Sequence, residues 1–249
     1  MQEPPYPGQV PRETLTKDQI VRTAVELLDS EGIEGLSMRQ LGIRLDSAAT
    51  AVYWHVKSKD NLLVLAADAV WEEIELPDLE EVTWQAAATA MAKGLFAMIL
   101  RHPWLVPAMS THLLYGPGKA RHDDHLLAVY QAAGFTGRDV EQAMKTVFTF
   151  VLGTALGVAS EAAWRARLRR TGGDEQEQIR TMVAQATEIA MRFPRLRAHS
   201  ATQDHDDTAA APGNELEFGL RTILNGLQSE LGAGRADGPA PPDDDPLLG

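Results

Sequence analysis

Between Ser37 and Lys59 the chain gathers side chains that can hold a nucleic-acid backbone. Arg39, Arg44, Lys57 and Lys59 stand against Asp46, a local balance of +3 within a protein of 249 residues and formal charge −12. Cations neutralise phosphates, and Tyr53 and His55 can donate hydrogen bonds to phosphate oxygens. Ser37 precedes a helix-like run, where backbone N–H groups without helical partners favour an anion. Ala49, Thr50, Tyr53 and Trp54 would then face outward, with the alanine methyl groups and the Thr50 hydroxyl available to base edges. The acidic balance of the whole chain argues against a protein that coats nucleic acid indiscriminately.

Other chemistries find little support. No cysteine is present, which removes disulfides, thiolate metal sites and Cys nucleophiles and suits a reducing, cytoplasmic setting. His122, Asp123, Asp124 and His125 have a spacing that could hold a metal on a helix. No third ligand is identifiable, so neither metal nor cofactor is expected. Gly116-Pro117-Gly118-Lys119 lacks the upstream Gly and the following Ser or Thr of a phosphate loop. No catalytic motif is found, so an enzyme is not expected. No apolar run approaches the ~20 residues of a membrane span. The N-terminus lacks a signal-peptide pattern.

The elements that must position these residues are helices. Strand signals are scarce, and apolar residues recur at helical spacing through most of residues 15–231. The reading is an all-α protein: a flexible arm over 1–13, a small domain over 14–76, a larger helical domain over 82–231 and a disordered tail over 232–249. In the small domain, helices are expected over 16–31, 38–45, 48–55 and 59–75. Gly32 and Gly35 close the first, and Ser37 and Ser58 cap later ones. In the larger domain, helices are expected over 83–101, 103–110, 119–133, 138–170, 174–192 and 215–231. Residues 199–214 read as a polar, mobile loop.

Two short helices joined by a tight turn fit a helix-turn-helix. Leu41, Leu45, Val52 and Val56 would fix the pair, and residues 48–55 would be the segment that enters the major groove. Tyr53 and Trp54 could instead be core aromatics.

Residues 16–75, and above all LSMRQLGIRLDSAATAVYWHVKSK from Leu36 to Lys59, resemble the DNA-binding domain of tetracycline-repressor (TetR) family regulators. Trp84-Gln85, Ala92-Lys93, the His102 turn, Ala133-Gly134-Phe135 and Leu152-Gly153 recur in the order of that family's tetracycline-repressor-like C-terminal domain. The resemblance implies an all-helical homodimer on palindromic double-stranded operator DNA, released by a small-molecule effector. It places DNA contacts at Ser37, Met38, Arg39, Ala49, Thr50, Ala51, Tyr53, Trp54, His55 and Lys59. The turn, usually Gly, carries Asp46, a residue that tolerates left-handed backbone better than most. The reading segment has no Gln, Asn or Arg for bidentate base contact. Specificity would rest on Thr50, the alanine methyl groups, Arg39 and DNA shape.

The family's metal-binding His and Glu fall on Met109 and Gly157, so tetracycline itself is not expected. Family pocket positions map to Met91, Leu95, Met109, His112, Leu113, Leu126, Tyr130, Met144 and Phe148. Methionines at three of them suit an adaptable pocket for an apolar or aromatic effector, and the scarcity of Asp and Glu disfavours a strongly cationic one. The 138–170 and 215–231 helices carry more apolar surface than one bundle needs, and pairing them with a second copy would make a four-helix interface. Two alternatives stand beside a repressor: a helical small-molecule carrier or enzyme with a degenerate DNA-binding head, and an activator of the same family.

Overall fold

Thr16 starts the first helix with a capping box. Its hydroxyl accepts from the Gln19 backbone N–H, and the Gln19 side chain accepts from the Thr16 N–H. Both otherwise orphan donors are thereby satisfied. The computed structural model describes residues 15–171, 175–202 and 212–236. The expected arm at 1–13, most of the polar loop and residues 237–249 of the expected tail lie outside them.

The described residues form helices and no strand: α1 (Lys17–Gly35), α2 (Met38–Arg44), α3 (Ala49–Val56), α4 (Lys59–Trp71), α5 (Trp84–Arg101), α6 (Leu105–Thr111), α7 (Pro117–Ala133), α8 (Gly137–Thr171), α9 (Glu175–Met191), α10 (Pro194–Thr202) and α11 (Pro212–Ala236). α1 packs on α4, and α2 packs on α3. Ile20, Ala24, Leu27, Leu28, Leu41, Val52, Val56, Leu62 and Leu63 are buried in this head. α4 continues from the head to α7, and α5 lies against α7 and α8. Leu216, Leu220 and Leu224 turn one face of α11 onto the body.

Several boundaries differ from the sequence reading. α1 does not stop at Gly32. Gly32 takes a φ of +71° and a non-helical ψ, and a further turn follows the kink. A φ of that sign suits glycine because no Cβ meets the following carbonyl. Residues 199–202 are not loop but the end of α10, and α11 continues past Leu231 to Ala236. α4 ends at Trp71, short of the expected 75. α8 is apolar and long enough by length and composition to cross a membrane, although no single run of its sequence is uninterrupted. Val140, Ala143, Val147, Val151, Ala155 and Ala159 bury one face of it instead.

Candidate DNA-reading face and effector domain

The turn between α2 and α3 is held by close backbone approach. A Cβ on Gly42 would lie 2.7 Å from the Ser47 carbonyl oxygen and 3.2 Å from the Ala49 nitrogen. Asp46 takes the left-handed conformation expected of it, with φ +45°. Lys57, just past α3, does so as well, at φ +65°; its backbone N–H is kept on the Tyr53 carbonyl at 2.9 Å. Asn61 Nδ2 donates to the Val56 carbonyl at 2.8 Å, fastening the start of α4 to the end of α3. α3 is therefore tied at both ends.

Val52 and Val56 point inward, and the opposite face of α3 is open. Trp54 is 79% exposed and Tyr53 49% exposed, so neither is a core aromatic. Thr50 and His55 are exposed beside them, and Ala49 and Ala51 are half-buried at the flank. Lys57 Nζ lies 5.1 Å from the Trp54 ring centroid, a cation–π contact that keeps positive charge on this face. Arg39 is exposed on α2, and Lys59 is half-buried at the first turn of α4. Ser37 uses its hydroxyl to accept from the Gln40 N–H at 3.1 Å. Met38 departs from the expected set: its side chain is 8% exposed and packs in the core. Only its backbone N–H, at the start of α2, remains for a phosphate.

The expected pocket residues divide. Met91, Leu95, Leu126 and Tyr130 are buried in one continuous core, with Met109, Met144 and Phe148 partly buried against it. Leu113 is 88% exposed and is not part of that wall. It follows α6 in the loop before α7, where the turn of chain points it outward. His112 is half-buried, with Nε2 3.6 Å from Asp60 on α4. The Tyr130 hydroxyl is buried without a hydrogen-bond partner, and burial pushes its pKa up. A groove of about 610 Å3 runs elsewhere, between α1, α6 and α8, past Gly32, Trp104, Pro107 and Ala166.

Two polar clusters escaped the sequence reading. His102, after α5, is 6% exposed, with Nδ1 2.7 Å from Asp29 on α1 and Nε2 3.0 Å from Glu73 beyond α4. Trp104 Nε1 donates to the same Asp29 oxygen at 2.7 Å, and Arg101 donates to Glu73. On the other seam, Asp68 of α4 accepts from the backbone N–H groups of Gly118 and Lys119 at 3.1 and 3.0 Å. A carboxylate at a helix start completes orphan donors and meets the positive end of the dipole. The α4–α7 contact is therefore polar as well as apolar. Partners so distant in sequence leave no local signal.

A rigid helix-turn-helix head on an all-helical body with a partly polar interior defines a DNA-binding regulator with an effector domain. The family model of bacterial regulatory proteins of the tetR family matches residues 20–66, and that of the tetracyclin repressor-like C-terminal domain matches residues 76–231. The chain belongs to the TetR family of transcriptional regulators, a non-enzymatic family. It is 39% identical over 181 residues to an HTH-type transcriptional regulator of Saccharopolyspora erythraea, covering 72% of this chain and 75% of that one. It is 32% identical over 225 residues to the HTH-type transcriptional repressor DrrR1 of Streptomyces coeruleorubidus, covering 89% and 80%. Among solved structures, ActR of Streptomyces coelicolor in complex with actinorhodin superposes with TM-score 0.68 at 28% identity, covering 89% of this chain and 98% of ActR.

Proposed function

We propose that the chain is a repressor that binds a palindromic operator as a homodimer and releases it when a small, mostly apolar or aromatic effector enters the α5–α7–α8 core. The observation that carries this reading is the exposed face of α3. Thr50, Tyr53, Trp54 and His55 stand out to solvent from the cationic stretch 37–59 in an otherwise acidic chain. Large aromatics left uncovered beside cations fit phosphate and base contact better than a solvated surface. ActR, crystallised with actinorhodin, supports a small-molecule effector here. Met109 and Gly157 at the two positions of the family's metal ligands argue against tetracycline.

Dimerisation is supported by what α8 and α11 leave uncovered. Leu156, Gly153 and Gly157 on α8 and Phe218 on α11 are exposed. Small residues beside large ones allow close helix approach, and four such helices make a compact two-fold interface. A dimer would double the phosphate contacts and set two reading helices about one duplex turn apart. The switch would run through α4, which touches head and body alike. Effector-induced movement of α4 would change that separation. A coupling of about 1–3 kcal/mol corresponds to roughly 5- to 150-fold in operator affinity.

The test is a titration of the purified protein onto the intergenic DNA upstream of its own gene, at several salt concentrations, with sedimentation of the free and bound protein. Salt-dependent binding of one dimer to one palindrome is the expected result. A monomer that ignores this DNA, or a neighbouring gene whose transcription falls on deletion of the regulator, would contradict it.

A further inference from the structure

Lys119, at the start of α7, does not send its ammonium to solvent. Its Nζ lies 4.7 Å from the Trp71 ring centroid, 5.7 Å from that of Phe148 and 5.8 Å from that of Tyr115. The same nitrogen is 2.6 and 2.7 Å from the two carboxylate oxygens of Asp123. Three aromatic rings and one carboxylate around a single cation form an aromatic cage of the kind that recognises alkylammonium groups. The cage draws on α4, the loop before α7, α7 itself and α8, and no two of its rings are neighbours in sequence. The Lys119 side chain is only 18% exposed, yet it is tethered by a flexible stem at the edge of the body. Tyr115, which closes one side, is 56% exposed.

A second observation marks the same place. Trp71 is 1% exposed, and its Nε1 has no hydrogen-bond partner. His122, 2% exposed, lies tilted against Trp71 with ring centroids 4.8 Å apart, and its Nε2 has none either. A buried donor and a buried imidazole nitrogen left unpaired beside a cation cage are costly unless something else meets them.

We propose that Trp71, Tyr115, Phe148 and Asp123 form a recognition site for a protonated amine on the effector, held shut in this state by Lys119 as a built-in competitor. This rests on the effector reading above and sharpens it. The body of the ligand is aromatic, but one end carries an ammonium group, contrary to the expectation that few acids disfavour cations. An incoming amine takes the place of the Lys119 nitrogen between the rings and Asp123. Lys119 then swings to solvent, and the hydrogen-bonding groups of the ligand meet Trp71 Nε1 and His122 Nε2. Trp71 is the last residue of α4, so exchange in the cage acts directly on the helix that joins body to head.

The probe is benzyltrimethylammonium, compared with its neutral carbon isostere, titrated by calorimetry into the full-length protein and into Lys119→Ala. Lys119→Ala is expected to bind the cation at least tenfold more tightly than the parent, and Lys119→Ala/Asp123→Asn to lose most of that gain. The isostere is expected to bind at least tenfold more weakly than the cation. Equal binding of cation and isostere, or no binding by a folded Lys119→Ala, overturns the proposal. Should Lys119→Ala not fold, the indole N–H resonance of Trp71 in the parent protein decides. A shift with the cation and none with the isostere supports the cage, and no shift with either overturns it. Operator binding, measured in parallel, separates the two readings. Cation binding without loss of operator affinity leaves the cage standing and removes its link to release. Operator release by a neutral aromatic, with no cation binding, leaves the repressor standing and removes the cage.

Discussion

The imidazole of His102 at the end of α5 lies 2.7 Å from the carboxylate of Asp29 on α1, joining the body of the protein to its reading head. Its other nitrogen meets Glu73 at 3.0 Å. Both neighbours are acceptors, so both contacts are satisfied together only when both ring nitrogens carry protons. Burial pulls the pKa of His102 down, but hydrogen bonding and charge from Asp29, together with Glu73, more than offset this, and the net direction is upward.

A pH dependence of stability follows. The folded pKa lies above the ordinary histidine value of 6.5. The unfolded chain therefore binds fewer protons in the interval between the two. The stabilisation is fully present below 6.5 and is lost as pH rises through the folded pKa. His102→Gln is expected to lose about 1–3 kcal/mol below that interval, because it removes the charged hydrogen-bond partner of Asp29 and one of the two cations on Glu73, and less above it. Thermal melts of both proteins across pH 5.5–8.5 (roughly the range over which histidines titrate) measure this. A constant difference across the range would exclude the charged form.

Lys59→Ala and Tyr53→Ala address phosphate contact. Both residues sit at the rim of the exposed α3 face, and neither anchors the core. Each substitution should weaken binding to operator and random duplex alike. Lys59→Ala should also reduce the slope of log affinity against log salt by about 1. Mobility shifts at several salt concentrations read both quantities, and an unchanged slope would remove Lys59 from the phosphate set.

How far the sequence could be read depended on the range of the interactions. The capping hydroxyls of Ser37 and Ser58 and the turn at Asp46 act over three or four residues, so their positions are readable directly; the capping role of Thr16, read as the first helical residue, emerges only from the structure. The outward face of α3 followed from the inward pair Val52 and Val56. A family position gives a site on the chain and not the direction of a side chain, which is why the buried Met38 side chain and the outward Leu113 differ from what the resemblance implies. The Lys119 cage and the His102 bridge were invisible. Trp71, Tyr115, Phe148 and Asp123 acquire meaning only when α4, α7 and α8 are packed, and His102 reads as a helix stop until Asp29 and Glu73 arrive from either side.

Gly42→Ala tests the geometry of the head. The added Cβ would fall 2.7 Å from the backbone oxygen of Ser47, and backbone does not yield as a flexible side chain would. The α2–α3 turn must open, at a cost of about 1–3 kcal/mol for overpacking. Operator binding should be lost while effector-domain fluorescence is retained. Full operator affinity in Gly42→Ala would mean that the turn is not the rigid support inferred for α3.

Thr50→Ala asks a different question of the same face. Its hydroxyl is exposed on the first turn of α3, among alanines that can offer only methyl contact. Removing it should cost about 1–3 kcal/mol against the preferred base pair and little against other sequences. Total affinity for random duplex should then stay near that of the parent while discrimination narrows. This pattern is the reverse of that expected for Lys59→Ala, so one set of selection experiments on randomised half-sites distinguishes a base reader from a phosphate clamp. If Thr50→Ala keeps the parent's preference at every position, direct readout by this hydroxyl is excluded. Sequence discrimination would then fall to Arg39, the alanine methyl groups and the deformability of the duplex.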